Sequence, residues 1–184
     1  MITAAAAQWH DFEILSRSLT QGLSLIDITN VYGTLIVTGP KSRDLFHSLN
    51  TEADLETNWL THQKAKINDI ECSLVRVSFA GELGWEIHAL NKDIAALYEF
   101  SIAAGAKPFG MWALNSLRIE KGYRAWKGDL STDYSMLEGG LERFIKFEKP
   151  QSFPGKLALQ TEKQQGSSKK FVTLIVDAEE FDAP

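Results

Sequence analysis

The stretch LVRVSFAGELGWEIHA, residues 74–89, decides the fold. Apolar and polar positions alternate through Leu74-Val75-Arg76-Val77-Ser78-Phe79, stop at Ala80-Gly81, and resume as Trp85-Glu86-Ile87-His88-Ala89. Alternation with period two marks a half-buried strand, so two strands meeting at a glycine-bearing turn are expected. Glu82 is the unusual residue, a carboxylate set between Gly81 and Gly84. A charge in a turn is ordinary where it is solvated and informative where it holds something.

Working outward, Asn68-Asp69 between residues 62–67 and 71–79 reads as a hairpin turn. Gly33-Thr34-Leu35-Ile36-Val37 reads as a strand, and Pro40 suits the first turn of a helix over 40–49 that buries Leu45, Phe46 and Leu49. Ala95, Ala96, Leu97, Phe100 and Ile102 predict a helix ending near Gly105. The order across 33–104 is therefore β-α-β-β-β-α, an α+β fold with helices on one face of an antiparallel sheet. Ahead of it, residues 2–6 and Leu25-Ile26-Asp27-Ile28 are short strand candidates, and Phe12, Ile14, Leu15 and Leu19 have helical spacing over 9–20.

The texture changes towards the C-terminus. Glu148-Lys149-Pro150 and Ser152-Phe153-Pro154-Gly155 read as a connector, 156–163 as a short helix, and 164–168 as a loop tip. Residues 170–176 (KFVTLIV) predict a strong final strand. Two parts follow: a main domain over 1–145, and at 146–184 the start of a C-terminal β domain with too little apolar material to form a core alone.

At 184 residues, 44% apolar and 23% charged, the chain has the composition of a soluble globular protein. A net charge of −5 carries no basic excess for nucleic acid. Cys72 is the only cysteine, which rules out an internal disulfide and fits a reducing compartment, the cytoplasm or a mitochondrial matrix. It reads as a small apolar packing residue. His10, His47, His62 and His88 show no metal-ligand spacing, and His10 and His88 read as surface or polar-face residues. No apolar run reaches the roughly 18 residues of a membrane span, and the start MITAAAAQWHDF does not read as a signal peptide.

A second informative stretch runs from Gly110 to Tyr123, a helix closed by Gly122. Its spacing predicts an apolar sector of Met111, Leu114 and Ile119, with Asn115 and Arg118 turned inward. A buried guanidinium must find an acceptor, and Glu82, Asp129 and Glu138 are the candidates. Arg118 is then either half of a structural ion pair or a clamp for a bound carboxylate. The loop Tyr123-Arg124-Ala125-Trp126-Lys127-Gly128-Asp129 suits a flat polar heterocycle, or simply two aromatic anchors.

The ordered series Thr38-Gly39-Pro40-Lys41-Ser42-Arg43-Asp44, Gly81-Glu82-Leu83-Gly84-Trp85-Glu86, Leu114 through Trp126, and Leu137-Glu138-Gly139-Gly140-Leu141 resembles the T-protein, or aminomethyltransferase, of the glycine cleavage system. It is more similar still to the folate-binding half of dimethylglycine and sarcosine dehydrogenases. The resemblance implies a ferredoxin-like folate-binding domain, tetrahydrofolate as the bound cofactor, and one-carbon transfer from an N-methyl or aminomethyl donor. It implies Glu82 as the contact to the pterin ring, with Trp85, Arg118, Tyr123 and Trp126 about the folate. The arginine that contacts folate in the T-protein is replaced here by Leu114 or Trp112. The family's catalytic aspartate belongs to a segment preceding Ile2–Ala6, and Asp11 and Asp27 do not align with it, so the chain reads as an excerpt with its catalytic residue unassigned and no FAD domain. The alternative is a non-catalytic module that assembles with a partner chain or with itself through an exposed sheet edge.

Overall fold

The computed structural model describes residues 1–177. The chain divides into two compact units, Met1–Tyr123 and Arg124–Pro184, a division that falls upstream of the change in texture at 146.

The first unit is built on four strands, β1 (Tyr32–Thr38), β2 (His62–Ile67), β3 (Ile70–Val75) and β4 (Gly84–Leu90). They form one antiparallel sheet in the order β1-β4-β3-β2. Helix α2 (Ser42–Ser48) links β1 to β2, carrying the chain from one edge of the sheet to the other, and α3 (Asn91–Ala103) follows β4. The expected β-α-β-β-β-α order is therefore present, and the fold is α+β. Asn68 (φ 44) and Asp69 (φ 67) close the β2–β3 hairpin in the left-handed region these short polar residues tolerate.

Period two sorts the faces of the sheet. Trp85, Ile87 and Ala89 of β4 turn to the helices with Leu74 and Cys72 of β3 and Ile67 of β2, and meet Phe46 of α2, Leu49 just past its end and Leu97 of α3. Phe46 sets its ring edge against Trp85, centroids 5.1 Å apart at 64°, an arrangement worth about 1 kcal/mol beyond area burial. The opposite face carries polar residues, with Lys64, Ser73, His88 and Thr34 paired in one row across all four strands.

Several expected strands are absent. Residues 5–7 form a 3-10 turn leading into helix α1 (Gln8–Arg17), because an alanine run favours helix when no strand lies beside it. Residues 25–28 form no strand, and Ile26 and Ile28 stay exposed. Strand β3 ends at Val75 rather than Phe79, although Arg76 still exchanges backbone bonds with Leu60 and Thr61. Helix α4 (Met111–Glu120) buries Leu114 and Arg118 with Leu117 half-buried, so the inward stripe is not the expected Met111–Ile119 sector. Met111, Asn115 and Ile119 face solvent.

The second unit contains helix α5 (Lys156–Gln165), as expected, and no strand among the described residues. The predicted strand at 170–176 is extended chain, held at its start by the Phe171 N–H donating to the Glu138 carbonyl at 2.9 Å. Strand propensity in KFVTLIV finds no partner strand there, and the end of the 146–184 segment lies outside the described residues.

Candidate functional site

Glu82 sits on a bend, residues 79–83, that the rest of the first unit locks in place. The Leu83 carbonyl accepts three bonds, from the Gly39 N–H at 2.8 Å, Ser42 Oγ at 3.0 Å and Thr38 Oγ1 at 3.3 Å. Thr38 Oγ1 also lies 2.9 Å from Ser78 Oγ. Both flanking glycines are required by space. A Cβ on Gly84 would fall 2.7 Å from the Val37 carbonyl oxygen of the paired strand. One on Gly81 (φ +79) would fall 2.5 Å from Lys121 Cγ, so the bend rests against the end of α4.

The carboxylate held there is exposed and makes no hydrogen bond or ion pair among the described residues. Beside it, Phe79 stacks on Tyr123, centroids 6.2 Å apart and rings 12° from parallel. Arg118, 6% exposed, donates from Nε and Nη2 to Asn115 Oδ1 at 2.9 and 2.7 Å, and from Nη1 to the Tyr123 carbonyl at 3.0 Å. The Tyr123 N–H returns a bond to the Arg118 carbonyl at 2.8 Å. Arg118 thus fixes the chain where it leaves α4 and sets the Tyr123 ring against the Glu82 bend. Asn115, absent from the expected acceptors, is one of its partners.

Trp85 is placed otherwise. It is fully buried against Phe46 with Arg76 over its ring at 5.2 Å, and a buried indole offers no face to a bound heterocycle. The stacking role implied for it gives way to a core role. Trp126 belongs to the second unit, in a tight loop where Lys127 N–H donates to the Leu130 carbonyl at 2.6 Å and Ala125 N–H to Asp129 Oδ2 at 2.8 Å. The structure brings Glu82, Tyr123 and Arg118 together within the first unit.

Asp11, Asp27 and His88 are each engaged by neighbouring side chains. The Thr3 hydroxyl, with His10, holds the Asp11 carboxyl below its usual range, and Thr29, with Gln8, does the same for Asp27. His88 bridges Thr34 Oγ1 at 2.9 Å and Glu86 Oε2 at 3.0 Å on the polar sheet face. Burial pushes the Cys72 thiol up to about 11. Among the described residues no group of three or more His, Cys, Asp or Glu side chains could hold a metal, and no helix is long and apolar enough to cross a membrane.

Sequence reasoning missed a cleft of about 550 Å³ along β1, between that strand, the end of α3 and the loop leading to α4. Lys41, Tyr98, Lys107 and Phe109 line it. They come from three segments, the turn before α2, α3 and the loop to α4, so no local spacing could have announced them. Thr38-Gly39-Pro40 was visible as a motif, but its bracing of the Leu83 carbonyl depends on residues more than forty positions away.

The pattern of the GCVT N-terminal domain matches residues 1–149. Mitochondrial dimethylglycine dehydrogenase of Rattus norvegicus is 36% identical over 191 residues, covering 99% of this chain and 22% of its own length. Mitochondrial sarcosine dehydrogenase of Mus musculus is 36% identical over 187 residues, covering 97% of this chain and 20% of its own. An aminomethyltransferase of Caldanaerobacter subterraneus subsp. tengcongensis is 34% identical over 159 residues, covering 82% of this chain and 42% of its own. The chain spans about a fifth of the length of the two dehydrogenases it matches. With its family pattern running through the glycine-flanked Glu82 bend and the Arg118 helix, the chain belongs to the GCVT N-terminal domain family.

Proposed function

We propose that this domain binds tetrahydrofolate at the Glu82 bend and serves one-carbon transfer from an N-methyl or aminomethyl donor of the glycine, sarcosine or dimethylglycine type. One observation carries the reading: Glu82 is held on a bend locked at Leu83, yet its own carboxylate has no partner among the described residues. A pterin presents an aminopyrimidine edge whose two parallel N–H groups match a carboxylate, and such charge-assisted pairs are among the stronger hydrogen bonds. Gly81 and Gly84 let the bend close against Lys121 and β1, and the Tyr123 ring, set by Arg118, supplies an aromatic wall beside it. The dehydrogenase and aminomethyltransferase relatives support the donor class.

In this reading the domain's contribution is to hold and orient the folate so that its reacting nitrogens meet an iminium carbon, and positioning of this kind lowers a barrier by several kcal/mol. Methylenetetrahydrofolate is the product. Isothermal titration of the full chain with tetrahydrofolate tests it: saturable binding below millimolar folate is expected, and the absence of heat at millimolar folate removes the proposal.

A further inference from the structure

The Leu83 carbonyl has more donors than the sheet requires. The Gly39 N–H bond at 2.8 Å prolongs the β1–β4 ladder one pair beyond Thr38 and Gly84, and it satisfies that carbonyl by itself. Ser42 Oγ and Thr38 Oγ1 nevertheless converge on the same oxygen, at 3.0 and 3.3 Å, and Ser78 Oγ meets Thr38 Oγ1 at 2.9 Å. Ser42 and Ser78 are buried and Thr38 is half-buried. Hydroxyls taken out of water must be bonded to be tolerated, and these are bonded to one another and to the end of the Glu82 bend.

A hydroxyl has one proton to donate. The orientation that uses every contact runs from Ser78 to Thr38 to the Leu83 carbonyl, while Ser42 divides its proton between the Leu83 and Gly39 carbonyls, the latter at 2.7 Å. Ser78 stands just before the bend at 79–83 and Leu83 closes it, so Thr38 ties both ends. Glu82 lies between those ties and makes no hydrogen bond or ion pair of its own among the described residues. Its place is therefore set through the backbone on either side.

We propose that Thr38 and Ser42 are positioning residues for Glu82, with Ser78 completing the tether: the hydroxyl chain fixes the bend in the direction that presents the carboxylate to its ligand. This rests on the reading of Glu82 as the ligand-holding group. A carboxylate whose backbone is already ordered loses less freedom on binding than one that must be ordered by the ligand, so the tether acts on affinity. It acts less on the fold, because the Gly39 bond to Leu83 remains when a hydroxyl is removed. Every contact involved lies within the first unit, between the end of β1, the start of α2 and the bend.

Two measurements on the full chain test it, comparing the native protein with Ser42→Ala, Thr38→Val and Thr38→Ser. Without ligand, the NMR order parameter of the Glu82 amide is expected near the ~0.85 of rigid backbone in the native chain and in Thr38→Ser, which keeps the hydroxyl. It falls towards ~0.6 in Thr38→Val and Ser42→Ala. In titration with tetrahydrofolate, Thr38→Val and Ser42→Ala each weaken binding about threefold to tenfold, the share of one hydrogen bond, and Thr38→Ser restores it. In a Glu82→Gln background the same two substitutions lose most of their effect, which a merely structural role would leave unchanged. An unmoved Glu82 order parameter, or affinity losses as large in the Glu82→Gln background as in the native one, overturns the proposal. A native chain that binds no tetrahydrofolate overturns the folate reading instead, and the order parameters then judge the tether alone.

Discussion

The two units of the chain are held by different forces. In Met1–Tyr123, Trp85, Phe46, Ile67, Leu74, Ile87 and Leu97 are sealed in one core between sheet and helices. In the described part of Arg124–Pro184, Ile145 is the one buried apolar side chain. Polar and ring contacts take over there: Arg124 donates to the Gly139 carbonyl at 2.9 Å and lies 4.4 Å from the Phe171 ring centroid, while Ser135 Oγ donates to Glu162 at 2.7 Å. The difference explains why Trp85 and Trp126, both beside glycine-bearing turns in the sequence, have unlike fates. One turn feeds a central strand whose inward face must be apolar. The other closes on itself through hydrogen bonds and leaves its indole half-exposed.

That contrast breaks first at the two tryptophans. Trp85→Ala is expected to cost about 3–5 kcal/mol in urea unfolding, whereas Trp126→Ala stays within about 0.5 kcal/mol. Similar losses at both positions would contradict the division. Next in size is Gly84→Ala, whose Cβ meets the Val37 carbonyl; thermal unfolding should register a loss of about 1–3 kcal/mol, the usual cost of overpacking. In the second unit, Arg124→Ala should cost about 1–2 kcal/mol, with limited proteolysis accelerated after residue 124 and the 1–123 region still protected. Equal acceleration in both units would show that they do not hold separately.

The smallest effect is a pH dependence. Burial raises the Cys72 thiol from 9.0 to about 11, so the folded state keeps its proton more tightly than the unfolded chain. The thiol's contribution is complete below about pH 9 and is lost as pH rises to about 11. Cys72→Ala should flatten the fall of stability across that window, measured as the difference between the two proteins, and an unchanged slope would place the thiol in contact with water.

The sheet was legible because its signals are local: alternation in β3 and β4, Asn68-Asp69 at the hairpin, and the Phe46–Leu49 stripe of α2. Residues 2–6, 25–28 and 170–176 misled for one reason. A strand needs a neighbour, and propensity says nothing about whether one is present. On α4, periodicity allowed several apolar sectors, and the hydrogen bonds of Arg118 to Asn115 and Tyr123 show how a charged residue takes an inward position. In the candidate site, the two glycines announced Glu82, but the locking of Leu83 by Thr38, Gly39 and Ser42 exists only after the chain returns upon itself.

The central claim is that Glu82 is a ligand-holding carboxylate and contributes nothing to folding. Titration of tetrahydrofolate into the native chain and into Glu82→Gln, with unfolding midpoints measured alongside, tests it most directly. The account predicts equal midpoints and an affinity weakened roughly tenfold to a hundredfold, the loss of a charge-assisted pair. Equal affinities, or a loss of binding matched by a loss of stability, would contradict it.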